Sequence, residues 1–389
     1  MHRIHRSYAI LTAALIAAAV SPRAAAQTNC PVLTNTTRLA MNAGGDVQSV
    51  RASAFPCEWA VTAGDPWLFA QRVENQARIT ALPNPGAAVR TGSITIAPVS
   101  IAATNPGVTI PVIQAGAGCN FTLNPQNVVV QPAGGLTGTA VNVATGCLWT
   151  AAVSHSWLTL PGGVDGFNGP GFLALNAGQN SNAFPRVSAA SVAGEFTQFI
   201  QKGVNTPELF ADVPANHIFF DYITMMRTTG LTSGCTATTY CPERTITRGE
   251  ISVFLVRALY GLGDFNFPAT PYFTDVPSNH VFFRYIQKIR ELGITLGCTD
   301  TSFCPDDLVT RATGATLVVR ARLATSSQFG NPVTPLFTDV PFGDTFFAAI
   351  QKAKQLGITS GCTATTYCPG NYLTRGQAAV FVIRGLMTQ

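Results

Sequence analysis

The side chains able to do chemistry are few and regularly spaced. Ten cysteines stand at 30, 57, 119, 147, 235, 241, 298, 304, 362 and 368, and the last six form three C-x5-C loops, Cys235–Cys241, Cys298–Cys304 and Cys362–Cys368. Six residues after each loop comes a Thr-Arg pair: Thr247-Arg248, Thr310-Arg311 and Thr374-Arg375. Beyond residue 26 there are three histidines, His155, His217 and His280, and four tryptophans, Trp59, Trp67, Trp149 and Trp157. No H-E-x-x-H, G-x-S-x-G or Walker sequence occurs. Gly166–Gly171 is a turn cluster with no strand–helix unit around it, so it is no phosphate loop. The pattern predicts no catalytic residues, no cofactor and no enzyme.

The thiols have two readings, metal ligands or disulfides. Each C-x5-C loop offers two thiols and no adjacent His, whereas structural zinc takes four ligands. Asp300, Asp306 and Asp307 flank one loop without the alternating oxygen ligands of a calcium loop. No metal is expected. Repeat logic instead pairs Cys30–Cys57, Cys119–Cys147, Cys235–Cys241, Cys298–Cys304 and Cys362–Cys368. Closing each short loop is worth about 2–2.5 kcal/mol on the chain-entropy account.

Disulfides require export, and the start of the chain provides for it. His2, Arg3, His5 and Arg6 precede an apolar run, Ala9–Val20, and Ala24–Ala26 would permit cleavage before Gln27. Residues 1–26 therefore read as a signal peptide. The competing reading, a membrane anchor, needs a longer apolar run, and no later run approaches one. Without these residues the chain carries 21 basic and 19 acidic side chains. That balance, with no Lys/Arg-rich run, gives no reason to expect nucleic acid. Charged residues make up only 11%, which suits an uncharged, turn-rich exported surface.

The Thr-Arg pairs belong to a longer unit that occurs three times. Phe210-Ala-Asp-Val-Pro214 recurs as Phe273–Pro277 and Phe337–Pro341, with spacings of 63 and 64 residues. Each copy continues through a double aromatic (Phe219-Phe220, Phe282-Phe283, Phe346-Phe347), a glycine (Gly230, Gly293, Gly357) and the Cys loop. Apolar spacing such as Phe219, Tyr222, Ile223 and Met226 predicts a first helix near 216–229, 279–292 and 343–356. The glycines fit the left-handed position that ends a helix. Second helices are predicted over 247–260, 310–322 and 374–386, with Thr as N-cap and Glu250 or Gln377 completing a capping box. His217 and His280 read as structural residues beside the helix starts, after Asn216 and Asn279 as N-caps. One two-helix unit cannot bury both stripes, so the three must pack together.

This repeat resembles the S-layer homology (SLH) module, with Cys at the variable position of the family's F-x-P ending: Tyr240-Cys-Pro242, Phe303-Cys-Pro305 and Tyr367-Cys-Pro369. The resemblance implies an all-α, three-pronged anchor for cell-wall polysaccharide. It covers 207–265, 269–328 and 333–389. Arg248, Arg311 and Arg375 sit in the first helical turn, where a cation faces the positive end of the helix dipole. An anion held by these arginines and by free helix-start N–H groups would offset that cost. The family's use of this Arg on acidic wall polymer agrees, and Thr247, Thr310 and Thr374 are carried with it as candidate ligand residues. The alternative pairs the arginines with Asp212, Asp275 or Asp339.

Residues 27–204 are strand-rich and also duplicated, with a period near 90 residues. Cys57-Glu-Trp59 matches Cys147-Leu-Trp149, and Trp67-Leu68 matches Trp157-Leu158. Short Val/Ile/Thr runs between Gly, Pro and Asn are the all-β signature. The pattern resembles BACON-type and related bacterial Ig-like domains, placed at 27–117 and 118–204. Cys and Trp two apart share a strand face, so Trp59 and Trp149 are expected beside their bridges as core. A sugar-stacking platform, implied by the same resemblance, is the alternative.

The fold class expected is therefore multidomain: two all-β Ig-like sandwiches projecting from an all-α three-repeat SLH module. The function expected is a secreted, non-enzymatic cell-surface protein with no transmembrane segment after signal removal. Its partner would be a cell-envelope polysaccharide or peptidoglycan-linked polymer. The β-domains would serve as spacers or adhesion modules, or would bind exogenous glycan.

Overall fold

The computed structural model describes residues 29–99, 105–161, 167–325, 329 and 335–388. The signal segment 1–26 lies outside the described residues. Among the described residues no helix is long and apolar enough to cross a membrane.

The described residues of the first β-unit hold eight strands: β1 (Leu33–Thr34), β2 (Leu39–Met41), β3 (Asp46–Ser53), β4 (Trp59–Ala63), β5 (Leu68–Val73), β6 (Gln76–Ala81), β7 (Arg90–Pro98) and β8 (Val108–Gln114). They form two sheets, ordered β1-β3-β6-β5 and β2-β8-β7-β4. Alternate residues such as Val50, Ile79, Ile94 and Ile110 meet between the sheets as one core.

The second β-unit repeats this plan with β9 (Thr122–Asn124), β10 (Asn127–Val130), β11 (Gly135–Asn142), β12 (Leu148–Trp149), β13 (Ala151–Val153), β14 (Leu158–Thr159), β15 (Phe167–Asn168), β16 (Gly171–Ala177), β17 (Arg186–Val192) and β18 (Glu195–Gln201). Its main sheets are β14-β16-β11-β9 and β10-β18-β17-β13, and β12 pairs with β15. In both units one short strand pairs parallel with the last strand, β2 with β8 and β10 with β18.

Among the described residues six helices follow: α1 (Phe220–Thr228), α2 (Arg248–Tyr260), α3 (Phe283–Glu291), α4 (Arg311–Leu323), α5 (Phe347–Gln355) and α6 (Arg375–Leu386). The first helix of each repeat starts about four residues later than the apolar spacing predicts. The reason is a turn after each Pro, closed by His217 N–H to Pro214 O at 2.8 Å and by its equivalents at His280 and Asp344. Asn216 and Asn279 cap nothing here. Instead His217 Nδ1 accepts the Phe219 N–H at 3.2 Å, His280 Nδ1 accepts Phe282 N–H at 3.2 Å, and Asp344 Oδ1 accepts Phe346 N–H at 2.7 Å. An unprotonated imidazole nitrogen thus stands in for a carboxylate, which explains why the third repeat can carry Asp. His217→Asp should therefore leave the urea midpoint nearly unchanged. His217→Ala should cost about 1 kcal/mol, the usual loss of a helix-start acceptor; equal midpoints for the two variants would refute this role.

The sandwiches do not project from the helices. Val47, Ala189, Phe196 and Ile200 belong to the same core cluster as the helical apolar residues. Each sandwich lays one sheet on helix C-termini, whose last carbonyls lack intrahelical donors. In the first sandwich, Arg51 donates to Ala258 O at 3.2 Å, Gln76 to Ala321 O at 3.4 Å and Arg78 to Ala324 O at 3.2 Å, closing the ends of α2 and α4. In the second, Gln198 donates to Leu356 O at 2.6 Å and Gln126 to Lys354 O at 3.0 Å, closing α5. Gly357 must be glycine twice over: its φ is +67°, and a Cβ would sit 2.9 Å from Gln198 Cγ.

All five cysteine pairs expected from the repeats are bonded, and no cysteine is free.

Candidate ligand grooves between the repeats

The three repeats close into a ring through their backbones. Ile246 N–H donates to Leu373 O at 3.0 Å, Val309 N–H to Ile246 O at 3.0 Å and Leu373 N–H to Val309 O at 2.8 Å. These three side chains are buried at the centre. Each position therefore binds its equivalent in the neighbouring repeat, and the pattern returns on itself.

Outside this ring, each second helix starts against the Cys loop of the next repeat. Thr247, Thr310 and Thr374 cap their helices, accepting the N3 amide at 3.2–3.3 Å. Glu250 and Gln377 complete the capping boxes, as expected. The first two helical amides are also taken. Arg248 N–H meets Asp307 O at 2.9 Å and Gly249 N–H meets Pro305 O at 2.8 Å. Arg311 and Ala312 bind Asn371 O and Pro369 O, and Arg375 and Gly376 bind Arg244 O and Pro242 O. The free helix-start donors expected for an anion are thus spent on neighbouring carbonyls.

The arginine side chains follow the same path. Arg248 Nε donates to Phe303 O at 2.7 Å, Arg311 Nε to Tyr367 O at 3.0 Å and Arg375 Nε to Tyr240 O at 3.0 Å. Each guanidinium also lies 4.7–4.9 Å from the ring centroid of that same residue, a favourable cation–π distance. Tyr367 and Tyr240 return a hydroxyl bond to the Arg311 and Arg375 carbonyls, at 2.7 and 2.9 Å. Phe303 has no hydroxyl to do so. Asp212, Asp275 and Asp339 do not bind the arginines directly. Each accepts two loop amides at 2.7–2.9 Å, such as Tyr240 N–H and Cys241 N–H on Asp212. Each disulfide therefore ties down the loop that receives the neighbouring repeat's arginine.

Arg311 and Arg375 are only 6% and 3% exposed. Burial lowers the pKa of all three arginines, and nearby acidic or phenolic groups oppose it: Asp307 and Asp275 at Arg248, Tyr367 and Asp339 at Arg311, Tyr240 and Glu250 at Arg375. Carbonyl and ring contacts thus offset the unfavourable dipole position. The Nη2 atoms of Arg248 and Arg311 are buried without a hydrogen-bond partner among the described residues. Arg375 Nη1 lies 3.5 Å from the carboxylate oxygen Oε1 of Glu250, where Arg311 Nη1 has the neutral Gln377 Oε1 at the same distance. At two of the three helix starts a Phe from the next repeat packs on the first turn. A Cβ on Gly249 would meet the Phe282 ring at 2.3 Å, and one on Gly376 would meet Phe219 at 2.2 Å.

The tryptophans form no open platform. Trp59 and Trp149 are buried, and Trp149 stacks on Phe167 and donates to Gly169 O at 2.9 Å. Trp67 and Trp157 lie under Arg90 and Arg186, at 4.3 and 4.6 Å. Both arginines are held in place by a glutamine, Gln114 or Gln201, at 2.8 Å. Along the sequence the two arginines stand 96 residues apart and the two glutamines 87, while the tryptophans stand 90 apart.

The S-layer homology domain profile matches residues 209–251, 272–313 and 336–379. An S-layer protein of Bacillus thuringiensis subsp. finitimus is 27% identical over 216 residues, covering 52% of this chain and 24% of that protein. An endoglucanase of Bacillus sp. (strain KSM-635) is 30% identical over 174 residues, covering 44% of this chain and 18% of that protein. Cell surface glycoprotein 1 of Acetivibrio thermocellus is 29% identical over 156 residues, covering 37% of this chain and 6% of that protein. The chain thus spans a quarter or less of these relatives' lengths. Among solved structures, a Bacteroides ovatus GH5 xyloglucanase in complex with a XXXG heptasaccharide aligns at 18% identity over 26% of this chain and 22% of that one, with a TM-score of 0.21. The matched profile and the three-fold closure of the helices lead to one assignment: the C-terminal part of this chain is a trio of S-layer homology domains.

Proposed function

We propose that this is a secreted, non-enzymatic cell-envelope protein held to an acidic wall polysaccharide through the grooves between its three repeats. Its β-units, with the strand order of immunoglobulin-like sandwiches, form the part carried on the anchor. The observation that supports the grooves as ligand sites is the unspent Nη2 of Arg248 and Arg311. A buried N–H without an acceptor costs about 1–3 kcal/mol. A carboxylate or similar oxyanion entering the groove would supply that acceptor with a charge-assisted bond. Three equivalent grooves on one body would engage a repeating polymer with avidity beyond a single site. The grooves lie at the N-termini of α2, α4 and α6. The sandwiches cover C-terminal helix ends, so they leave those N-termini uncovered.

The test is sedimentation of the full chain with purified envelope fractions, before and after chemical removal of their acidic polymer. The chain should pellet with the intact fraction and stay in solution with the stripped one. Equal binding to both would reject an acidic ligand.

A further inference from the structure

Two lysines hold equivalent places in successive repeats, Lys288 on α3 and Lys352 on α5, and both reach carboxylates of the first sandwich. Their surroundings differ. Lys288 Nζ lies 3.4 Å from Glu74 and 3.0 Å from Glu291, whose side chains are 43% and 37% exposed. Lys352 Nζ lies 2.5 Å from Asp46 Oδ1, and these two side chains are 1% and 0% exposed. Ala349, Ala353 and Leu356 on adjoining turns of α5 are buried, as are Val47 and Phe196, the chain neighbours of Asp46 and Glu195. Water reaches the first pair and is kept from the second.

Three devices hold the Asp46 carboxyl in place. Val47 N–H donates to Oδ1 and Gln48 Nε2–H to Oδ2, each at 2.9 Å. The third is the turn between β17 and β18 of the second sandwich. Ala193 and Gly194 both have positive φ there, 48° and 84°, as a type I′ hairpin turn requires. A Cβ on Gly194 would stand 2.6 Å from Asp46 Oδ2, so only glycine lets the turn come this close. The next residue is Glu195. Burial pushes its carboxyl up to about 8, with Lys352 and Lys354 pulling against this and Asp46 adding to it. It therefore carries a proton near neutral pH, beside an amine and a second carboxyl.

We propose that Lys352 and Asp46 condense to an amide, with Glu195 as the proton carrier. A nitrogen this close to one carboxyl oxygen stands about 3–3.5 Å from the carboxyl carbon, an attack distance. A proton passing from Nζ to the carboxylate gives the neutral amine and the neutral acid, the forms a dry site prefers to charges. Nζ then attacks Cγ. The Nζ–Cγ bond forms, one Cγ–Oδ bond breaks, and the departing oxygen leaves as water. Glu195 takes a proton from the nitrogen and gives one to that oxygen, ending as it began. The Val47 and Gln48 donors stabilise charge on the carboxyl oxygens between these steps. No oxidant or activated co-substrate is consumed. Until the bond closes, the two groups remain an ion pair. The product joins the helical trio to the first sandwich covalently, across 306 residues of chain. The inference does not depend on what the grooves bind.

The intact mass of the reduced, denatured full chain, followed over days after folding, tests this. Counted from its observed first residue, the chain should become lighter than its sequence by one water. Trypsin should then leave Lys352 uncut and release residues 39–51 joined to residues 323–354. Chain kept unfolded in urea should hold its full mass, and so should Lys352→Met and Asp46→Ala. Glu195→Gln should slow the loss roughly a hundredfold, the usual worth of a positioned proton carrier. Lys288→Met should not alter it. The proposal is overturned if the folded parent keeps the full sequence mass, or if the lost water maps to another pair of residues. It is also overturned if Glu195→Gln condenses as fast as the parent.

Discussion

Lys352→Met is expected to destabilise the protein by about 3–5 kcal/mol, the cost of leaving a buried partner charge unpaired. Lys352 Nζ lies 2.5 Å from Asp46 Oδ1, and both side chains are essentially inaccessible. Asp46 also accepts Gln48 Nε2–H and Val47 N–H, each at 2.9 Å. Lys352 belongs to the helical trio and Asp46 to the first sandwich. Glu195 of the second sandwich and Lys354 complete the cluster, so charge joins all three parts. All four tryptophans report the sandwiches, and helical circular dichroism reports the trio. In the parent protein both signals should unfold together in urea, because the core is shared. In Lys352→Met the tryptophan transition should move to lower urea ahead of the helical one. Asp46→Asn combined with Lys352→Met should recover most of the loss, since it leaves no lone charge. An unchanged midpoint in the single variant would show that the pair contributes nothing to docking.

The same cluster sets a pH dependence. Burial pushes the Glu195 carboxyl up from about 4.5 to about 8; Lys352 and Lys354 pull against this, and Asp46 adds to it. A carboxyl raised by folding is neutral in the docked state. Its contribution to stability is therefore full below about pH 4.5 and is lost as pH rises through about 8. Glu195→Gln should flatten the slope of stability across that window while leaving the acid limb in place.

Removing all three arginines should have the other large effect. Arg248→Ala, Arg311→Ala and Arg375→Ala each delete a charged donor to a loop carbonyl, worth about 1.5–3 kcal/mol per bond. The two most buried sites, Arg311 and Arg375, should lose most, and the triple variant should lose the cooperative unfolding of the trio. Arg248 is the informative single change, because it is half-buried and its partner Phe303 returns no hydroxyl bond. Folded Arg248→Ala protein should bind acidic envelope polymer several-fold more weakly, with the remaining binding less salt-sensitive because one screened cationic contact is gone. If it binds as the parent does while its urea midpoint falls, the arginines are clasps between repeats and the polymer lies elsewhere.

Much of this was legible in the chain. The spacing of the Phe-x-Asp-Val-Pro motifs implied three units that must close on one another. Thr247, Thr310 and Thr374 act over one helical turn, and their caps are where the pattern put them. Alternating Val, Ile and Thr marked the strands. The arginines were visible as residues that capping did not explain. Their partners were not, because Phe303, Tyr367 and Tyr240 lie 55, 56 and 135 residues away.

What the sequence by itself determined is the local chemistry: the capped starts of the second helices, chain reversals, short disulfide loops and the repeat count. These depend on neighbours within a few residues, where side-chain type and spacing are decisive. Only the tertiary structure decided that the sandwiches lie against the helices. Arg51, Gln76, Arg78 and Gln198 read as ordinary polar strand residues, the kind that face water. They are withdrawn from it because helix C-termini carry carbonyls with no donors of their own, and a sheet face can supply those donors only once the chain has brought Asp46 to Lys352, 306 residues apart.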